Sequence, residues 1–290
     1  VATLLQDRVP PLPQPAREGP LPGGLFVVMR LPGTGDQKMY ADLAGKVIWL
    51  VGATGTLGEQ MARDLVAADA TVVCSGRNRE KLSSLVESMN GPGTAHALAV
   101  DITSRASVDE AAVEIGRKCG GLDMLVNTTT LPTFGNFLEL GDDDWEEVLQ
   151  TKYLGYVRTI RAVVPMMLAR GGGCIVCVTG KGGRVPRDIH LPGSSVNAAV
   201  NLLVRGLAGT YGRQGIRVLA VSPGVIASPR LAAVQAASST GNDAEAAERI
   251  RNSNALARLG TAEEVSSTVL FALSNAAGFV NGGVLEVDGG

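Results

Sequence analysis

From about Lys46 onward, short and mostly apolar runs alternate with longer stretches whose apolar positions recur every three or four residues. The short runs are Lys46–Val51, Thr71–Ser75, His96–Val100, Leu122–Asn127, Cys174–Thr179, Arg217–Val221 and Val284–Val287. Their length and near-continuous apolar character predict strands buried on both faces. Helical spacing occupies residues near 57–69, 78–89, 105–118, 142–169, 196–213 and 261–274. Alternation of this kind predicts an α/β protein with a doubly wound parallel sheet, right-handed crossovers, and ligands at the carboxyl ends of the strands. Two stretches break the pattern. Residues 1–44 hold seven of the fourteen prolines and no period, which reads as an irregular N-terminal arm preceding a single domain over 45–290. A chain opening on Val1 also leaves Met29 or Met39 as a candidate start. Residues 228–256 are rich in Ala, Ser and Asn, and their position predicts a lid over the site.

Composition narrows the function classes. The chain has 290 residues, 45% of them hydrophobic, and a net charge of -2. A near-neutral balance offers no electrostatic footprint for nucleic acid or a membrane surface. No apolar stretch reaches the ~20 residues of a membrane span. The expected setting is therefore cytoplasmic, with a small-molecule substrate and no nucleic-acid or membrane partner. Of the four cysteines, Cys174 and Cys177 have CxxC spacing but fall in a strand, where residues three apart face opposite ways. They read as buried small hydrophobes, and no metal site is expected.

The stretch Val51-Gly52-Ala53-Thr54-Gly55-Thr56-Leu57-Gly58 stands between the first strand and the first helix. Glycines in that context let a pyrophosphate approach main-chain N–H groups at the positive end of a helix. The candidate cofactor contacts are therefore Gly52, Thr54, Gly55, Thr56, Leu57 and Gly58. The second strand ends at Gly76-Arg77, where a site for NAD(H) usually carries an acidic residue. A guanidinium in that place favours a 2′-phosphate, so NADP(H) is expected over NAD(H). Asp101 and Ile102, Asn127, and then Pro223, Gly224 and Ile226 follow at later strand ends, where this architecture gathers its ligand.

Over residues 45–290 these motifs resemble the short-chain dehydrogenase/reductase family. The resemblance rests on the glycine loop, Asp101-Ile102, Leu125-Val126-Asn127, Ser222-Pro223-Gly224, Arg258-Leu259-Gly260 and the ending Val287-Asp288-Gly289-Gly290. It implies a seven-stranded Rossmann sheet and homodimers or homotetramers built on the helices near 142–169 and 196–213. Three departures accompany it. The glycines are spaced GxxGxxG, so Thr56 stands where a glycine is usual. The family's NNAG reads Asn127-Thr128-Thr129-Thr130. The positions matching its serine, tyrosine, lysine and asparagine hold Gly180, Gly193, Asn197 and Lys152. No tyrosine lies between Thr179 and Val196, and no lysine follows Lys181, so no shift of register restores the pair.

Other residues are therefore candidates for acid–base chemistry. His190 lies three residues before Gly193, and a histidine there is a candidate acid or base, with Asp188 nearby to orient it. Lys152 and, one turn on, Tyr156 form a second candidate pair. Lys181 and Ser194 are weaker candidates, the latter as a helix cap. Three readings stay open on the sequence: an NADP(H) oxidoreductase for a carbonyl or alcohol with a rebuilt proton relay, a non-redox isomerase, dehydratase or cyclase, and a silent binding subunit.

Overall fold

The computed structural model describes residues 40–228 and 254–290. The proline-rich arm up to residue 39, and most of the expected lid, lie outside the described residues. The folded unit begins before residue 45, because Leu43, in the short turn Ala41–Leu43, is fully buried in the core.

The elements run β1 (Val47–Val51), α1 (Thr56–Ala67), β2 (Thr71–Gly76), α2 (Arg79–Glu87), β3 (Thr94–Ala99), α3 (Arg105–Cys119), β4 (Met124–Asn127), α4 (Asp142–Val148), α5 (Gly155–Ala169), β5 (Gly173–Val178), α6 (Leu191–Tyr211), β6 (Ile216–Pro223), α7 (Ala262–Leu273) and β7 (Val284–Val287). All seven strands pair in parallel, in the order β3-β2-β1-β4-β5-β6-β7. Winding reverses between β1 and β4, which opens a crevice at their carboxyl ends.

The strands are apolar on both sides because both sides are covered. Val47, Trp49 and Val51 of β1 join α3, α5 and α6 in one core. Ile48 and Leu50 join α1, α2 and α7 in the other. The same alternation separates Cys177 from Cys174, one in each core and both buried as free thiols. Among the described residues no helix is long and apolar enough to cross a membrane.

Local chemistry sets the helix ends. Asn78 caps α2 by accepting from the Lys81 amide at 2.9 Å, and Thr261 with Glu264 forms a capping box on α7. Two helices differ from expectation. The helix α6 starts at Leu191 rather than near 196, with Pro192 in its first turn, where the missing N–H has no intrahelical partner to lose. Ser194 thus lies inside the helix and is not its cap; its Oγ accepts from the Arg187 amide at 3.4 Å. The helix expected over 142–169 is divided by a π-helical turn, Leu149–Leu154, that joins α4 to α5.

Candidate active site

The glycine loop is pinned to the next strand. The Gly52 and Ala53 amides both donate to the Ser75 carbonyl, at 2.8 and 3.0 Å. Gly52 adopts φ +90, and a Cβ there would lie 3.1 Å from the Thr128 carbonyl carbon and the Thr129 nitrogen. The loop ends of β1 and β4 thus touch at the crevice. At Gly58 a Cβ would fall 2.2 Å from the Gly52 carbonyl oxygen, so the start of α1 approaches the strand as closely as backbone allows. Gly55 is different. It is the N-cap, at φ -87, with the nearest atom 3.6 Å from its Cβ position. Of the three glycines, Gly52 and Gly58 are sterically required and Gly55 is not. Thr56 and Leu57 open the helix, whose first amides have no intrahelical acceptor and are available to an anion.

The remaining cofactor candidates surround this cradle. Thr54 packs over Gly76, its Oγ1 3.4 Å from a Cβ built there. Arg77 follows, exposed, and its charge faces the Asp101 carboxylate. Asp101 accepts from the Thr103 hydroxyl at 2.7 Å and the Thr103 amide at 2.9 Å, which together hold its pKa below the usual carboxylate value. Ile102 is buried beneath it. Asn127, fully buried at the end of β4, accepts from the Thr159 hydroxyl at 3.1 Å. Pro223 ends β6. Gly224 donates its amide to the Val287 carbonyl and lets Asp288 approach, since a Cβ there would meet the Asp288 Cα at 2.8 Å. Ile226 pairs with Gly260, so the two ends of the 228–256 segment meet beside β6. A glycine cradle and a buried Thr129 Oγ1 without a partner fit a dinucleotide laid across the crevice. Among the described residues no group of three or more His, Cys, Asp and Glu side chains gathers to hold a metal.

The structure separates the acid–base candidates. His190 ends the loop after β5, half-buried, with Nδ1 2.7 Å from the Thr133 carbonyl oxygen and its ring 4.6 Å from that of Phe134. A carbonyl only accepts, so Nδ1 carries the hydrogen. The Thr133 carbonyl, rather than the Asp188 carboxylate suggested by the sequence, holds that nitrogen. A Cβ added at Gly193 would fall 2.1 Å from His190 Nε2. The imidazole therefore fills the volume that a side chain at Gly193 would enter. No sequence signal announces this, because it depends on the loop folding back over the helix.

Lys152 lies in the π-helical turn, 5% exposed, and its Nζ donates to the Thr179 carbonyl at 3.3 Å. Burial lowers its pKa from 10.5 to about 8. Tyr156 is fully buried, and its hydroxyl lies 3.0 Å from the Val178 carbonyl and 3.2 Å from that of Thr129. The phenol thus reaches the ends of both β4 and β5, and burial raises its pKa. Lys181 is drawn away by Asp288, at 3.0 Å. Asn197 is buried against Gly180, its Nδ2 3.1 Å from a Cβ position there, and its Oδ1 has no partner.

A family model described as enoyl-(acyl carrier protein) reductase matches residues 52–290. A 2,3-dihydro-2,3-dihydroxybenzoate dehydrogenase from Bacillus subtilis is 30% identical over 254 residues, covering 86% of this chain and 96% of its own. The L-sorbose reductase of Gluconobacter frateurii, solved with NADPH and L-sorbose, superposes with a TM-score of 0.81 at 25% identity, over 86% of this chain and 97% of that one. A gluconate 5-dehydrogenase from Burkholderia cenocepacia, solved with NADP and tartrate, gives 0.78 at 27% identity, over 86% and 95%.

Proposed function

The chain belongs to the short-chain dehydrogenase/reductase family, and from that premise we propose that it is an NADP(H)-dependent oxidoreductase interconverting a carbonyl and an alcohol. We propose further that its proton relay is rebuilt around His190. The relatives above are named as oxidoreductases, two of them solved with NADP or NADPH, and this supports the redox reading. Nothing comparable supports the isomerase, dehydratase, cyclase or silent-subunit readings. The Arg77 guanidinium at the end of β2 favours the 2′-phosphate of NADP(H) over the ribose hydroxyl of NAD(H).

When bound, NADP(H) supplies or accepts the hydride. The glycine loop and the first amides of α1 would hold its phosphates, and Thr129 Oγ1 and Asn127 Nδ2, both buried without a partner, could take up its polar groups. The observation that carries the proton assignment is the placement of His190 Nε2 where a side chain on Gly193 would begin. With Nδ1–H held by the Thr133 carbonyl, Nε2 exchanges the proton: it gives one to the carbonyl oxygen in reduction and takes one from the hydroxyl in oxidation. Tyr156 takes no part in this relay. Association as a homodimer or homotetramer through α4, α5 and α6 belongs to the same reading, and the exposure of Leu149 (43%) and Leu202 (72%) supports it.

The test follows NADPH absorbance with L-sorbose in the reducing direction and with gluconate in the oxidising direction. Replacing His190 by alanine lowers kcat by about 10²–10⁴-fold, the usual reach of general acid–base catalysis, and leaves NADPH affinity unchanged. Full turnover by His190→Ala removes the relay assignment, and absence of saturable NADPH quenching of intrinsic fluorescence removes the cofactor.

A further inference from the structure

The loop that delivers His190 leaves β5 through the turn Lys181–Gly183 and joins α6 at His190 itself. The turn lies against α6, since a Cβ at Gly183 would sit 3.0 Å from the Ala198 nitrogen. From Arg184 to Ile189 every residue is exposed. The Arg184 and Val185 amides bond back to the Lys181 carbonyl, at 3.0 and 2.9 Å, within the loop. Two side chains tie this loop to the far end of the sheet. Lys181 Nζ and Arg184 Nη2 each lie 3.0 Å from the same oxygen, Asp288 Oδ2.

Asp288 is mounted as a fixed post. It follows β7, whose pairing with β6 runs up to Pro223 and Val287. Its side chain is 6% exposed, and its Oδ1 accepts from the Gly290 amide at 3.1 Å. Gly224 backs it closely, its amide donating to the Val287 carbonyl at 3.0 Å. Burial alone pushes the Asp288 carboxyl up, but the bonds from Lys181 and Gly290 and the two cations hold it below its usual value. A carboxylate so enclosed is screened less than a surface one. The Arg184–Glu286 contact, at 3.6 Å and partly exposed, adds little.

We propose that Asp288 is a positioning residue for His190: through Lys181 and Arg184 it latches the loop after β5 and keeps the imidazole on the Thr133 carbonyl. This rests on the relay reading of His190 and assigns what holds that relay in place. The His190 ring bonds across to the loop after β4, and the Gly135 amide joins the same two loops through the Ile189 carbonyl at 3.0 Å. The ring therefore keeps its place only while the two loops keep their register. Released from Asp288, the loop after β5 pivots at Gly182 and Gly183, Nδ1 leaves its acceptor, and Nε2 is no longer the one exchanging nitrogen. A displacement of about 1 Å at a reacting group costs up to about 10²-fold in rate. The tail after β7 also receives the return of the 228–256 segment, because the Leu256 amide donates to the Gly289 carbonyl at 3.1 Å.

The test reads the His190 tautomer directly. The chain has two histidines, His96 and His190, so histidine-selective 15N labelling gives two ring systems, and His190→Ala identifies which is which. Spectra are recorded at about pH 8.5, above the ordinary imidazole range. The variants are Asp288→Asn and the pair Lys181→Met with Arg184→Met, with thermal melts to verify folding; the cation pair carries the test if Asp288→Asn does not fold. The unaltered protein is expected to show one protonated and one bare nitrogen on His190. Both variants should draw those two signals toward a common average, leave the His96 signals in place, and lower kcat for L-sorbose reduction about ten- to a hundredfold with NADPH affinity unchanged. The charge-keeping pair Lys181→Arg with Arg184→Lys should restore the split signals and most of kcat. Unmoved His190 signals in folded variants, or equal movement at His96, overturn the latch while the relay reading stands. Full turnover by His190→Ala, or none by the unaltered protein, overturns the relay reading, and the tautomer signals alone then decide the latch.

Discussion

Replacing Gly58 by alanine perturbs the cradle at its tightest contact. A Cβ there falls 2.2 Å from the Gly52 carbonyl oxygen, 2.8 Å from the Ala53 Cα and 2.9 Å from the Gly52 carbonyl carbon. All three are backbone atoms, so no rotamer change relieves the clash. Carbon atoms sit best at about 3.5–4.0 Å, so the start of α1 must retreat by about 1 Å or more. Overpacking of this kind costs about 1–3 kcal/mol. At about 2–4 °C per kcal/mol for a domain of this size, Tm falls by roughly 2–12 °C. The same retreat carries the first helix amides away from the phosphates, and NADPH affinity falls about tenfold or more, which corresponds to about 1.4 kcal/mol. Gly55→Ala is the control. Its Cβ lies 3.6 Å from the nearest atom and its φ is -87, so only the N-cap preference is lost, under about 1 kcal/mol. Thermal melts and fluorescence titration with NADPH read both variants. Gly58→Ala melting within about 1 °C of the parent, or Gly55→Ala doing equal damage, would show that close helix–strand approach is not what the glycine spacing provides.

Lys152 predicts a pH dependence of stability. Between pH 8 and its ordinary 10.5 the unfolded chain holds a proton that the folded chain has released, so stability rises with pH across that window. Below pH 8 the cost of burial is complete, roughly 3 kcal/mol for a shift of this size. Lys152→Met removes that cost, less about 1 kcal/mol for the bond to Thr179. It should melt above the parent at pH 7 and lack the rise; superimposable curves would contradict the burial argument. Cys177, pushed up to about 12, and Tyr156, also raised, remain neutral over that range. Arg77→Ala is expected to weaken NADPH far more than NADH, with equal losses counting against a 2′-phosphate contact. Tyr156→Phe removes the ties to Val178 and Thr129 and should cost about 0.5–1.5 kcal/mol in denaturant melts while leaving kcat intact. A large fall in kcat would place the phenol in the relay after all.

The alternation of apolar runs with helical spacing was enough to determine seven strands, their parallel pairing and the glycine loop at the first strand end. Each of those depends on local periodicity or on backbone chemistry that a glycine announces by itself. The helix α6 was legible only in part, because Pro192 and Gly193 look like a loop until the chain is seen turning there. Candidate chemistry was legible as residue types: His190 was recognisable as a titratable group, and Lys152 as a lysine on a helix. What each does was decided by contacts distant in sequence. The Thr133 carbonyl fixes the His190 tautomer across 57 residues, and the Thr179 carbonyl holds Lys152 across 27. Tyr156 shows the difference most plainly. One helical turn from Lys152, it shares the same helix face, yet burial and two carbonyls make it a structural tie. Periodicity records which face of an element is covered. Only the tertiary structure decides what covers it, and so whether a polar group there meets a carbonyl, an empty crevice or a ligand.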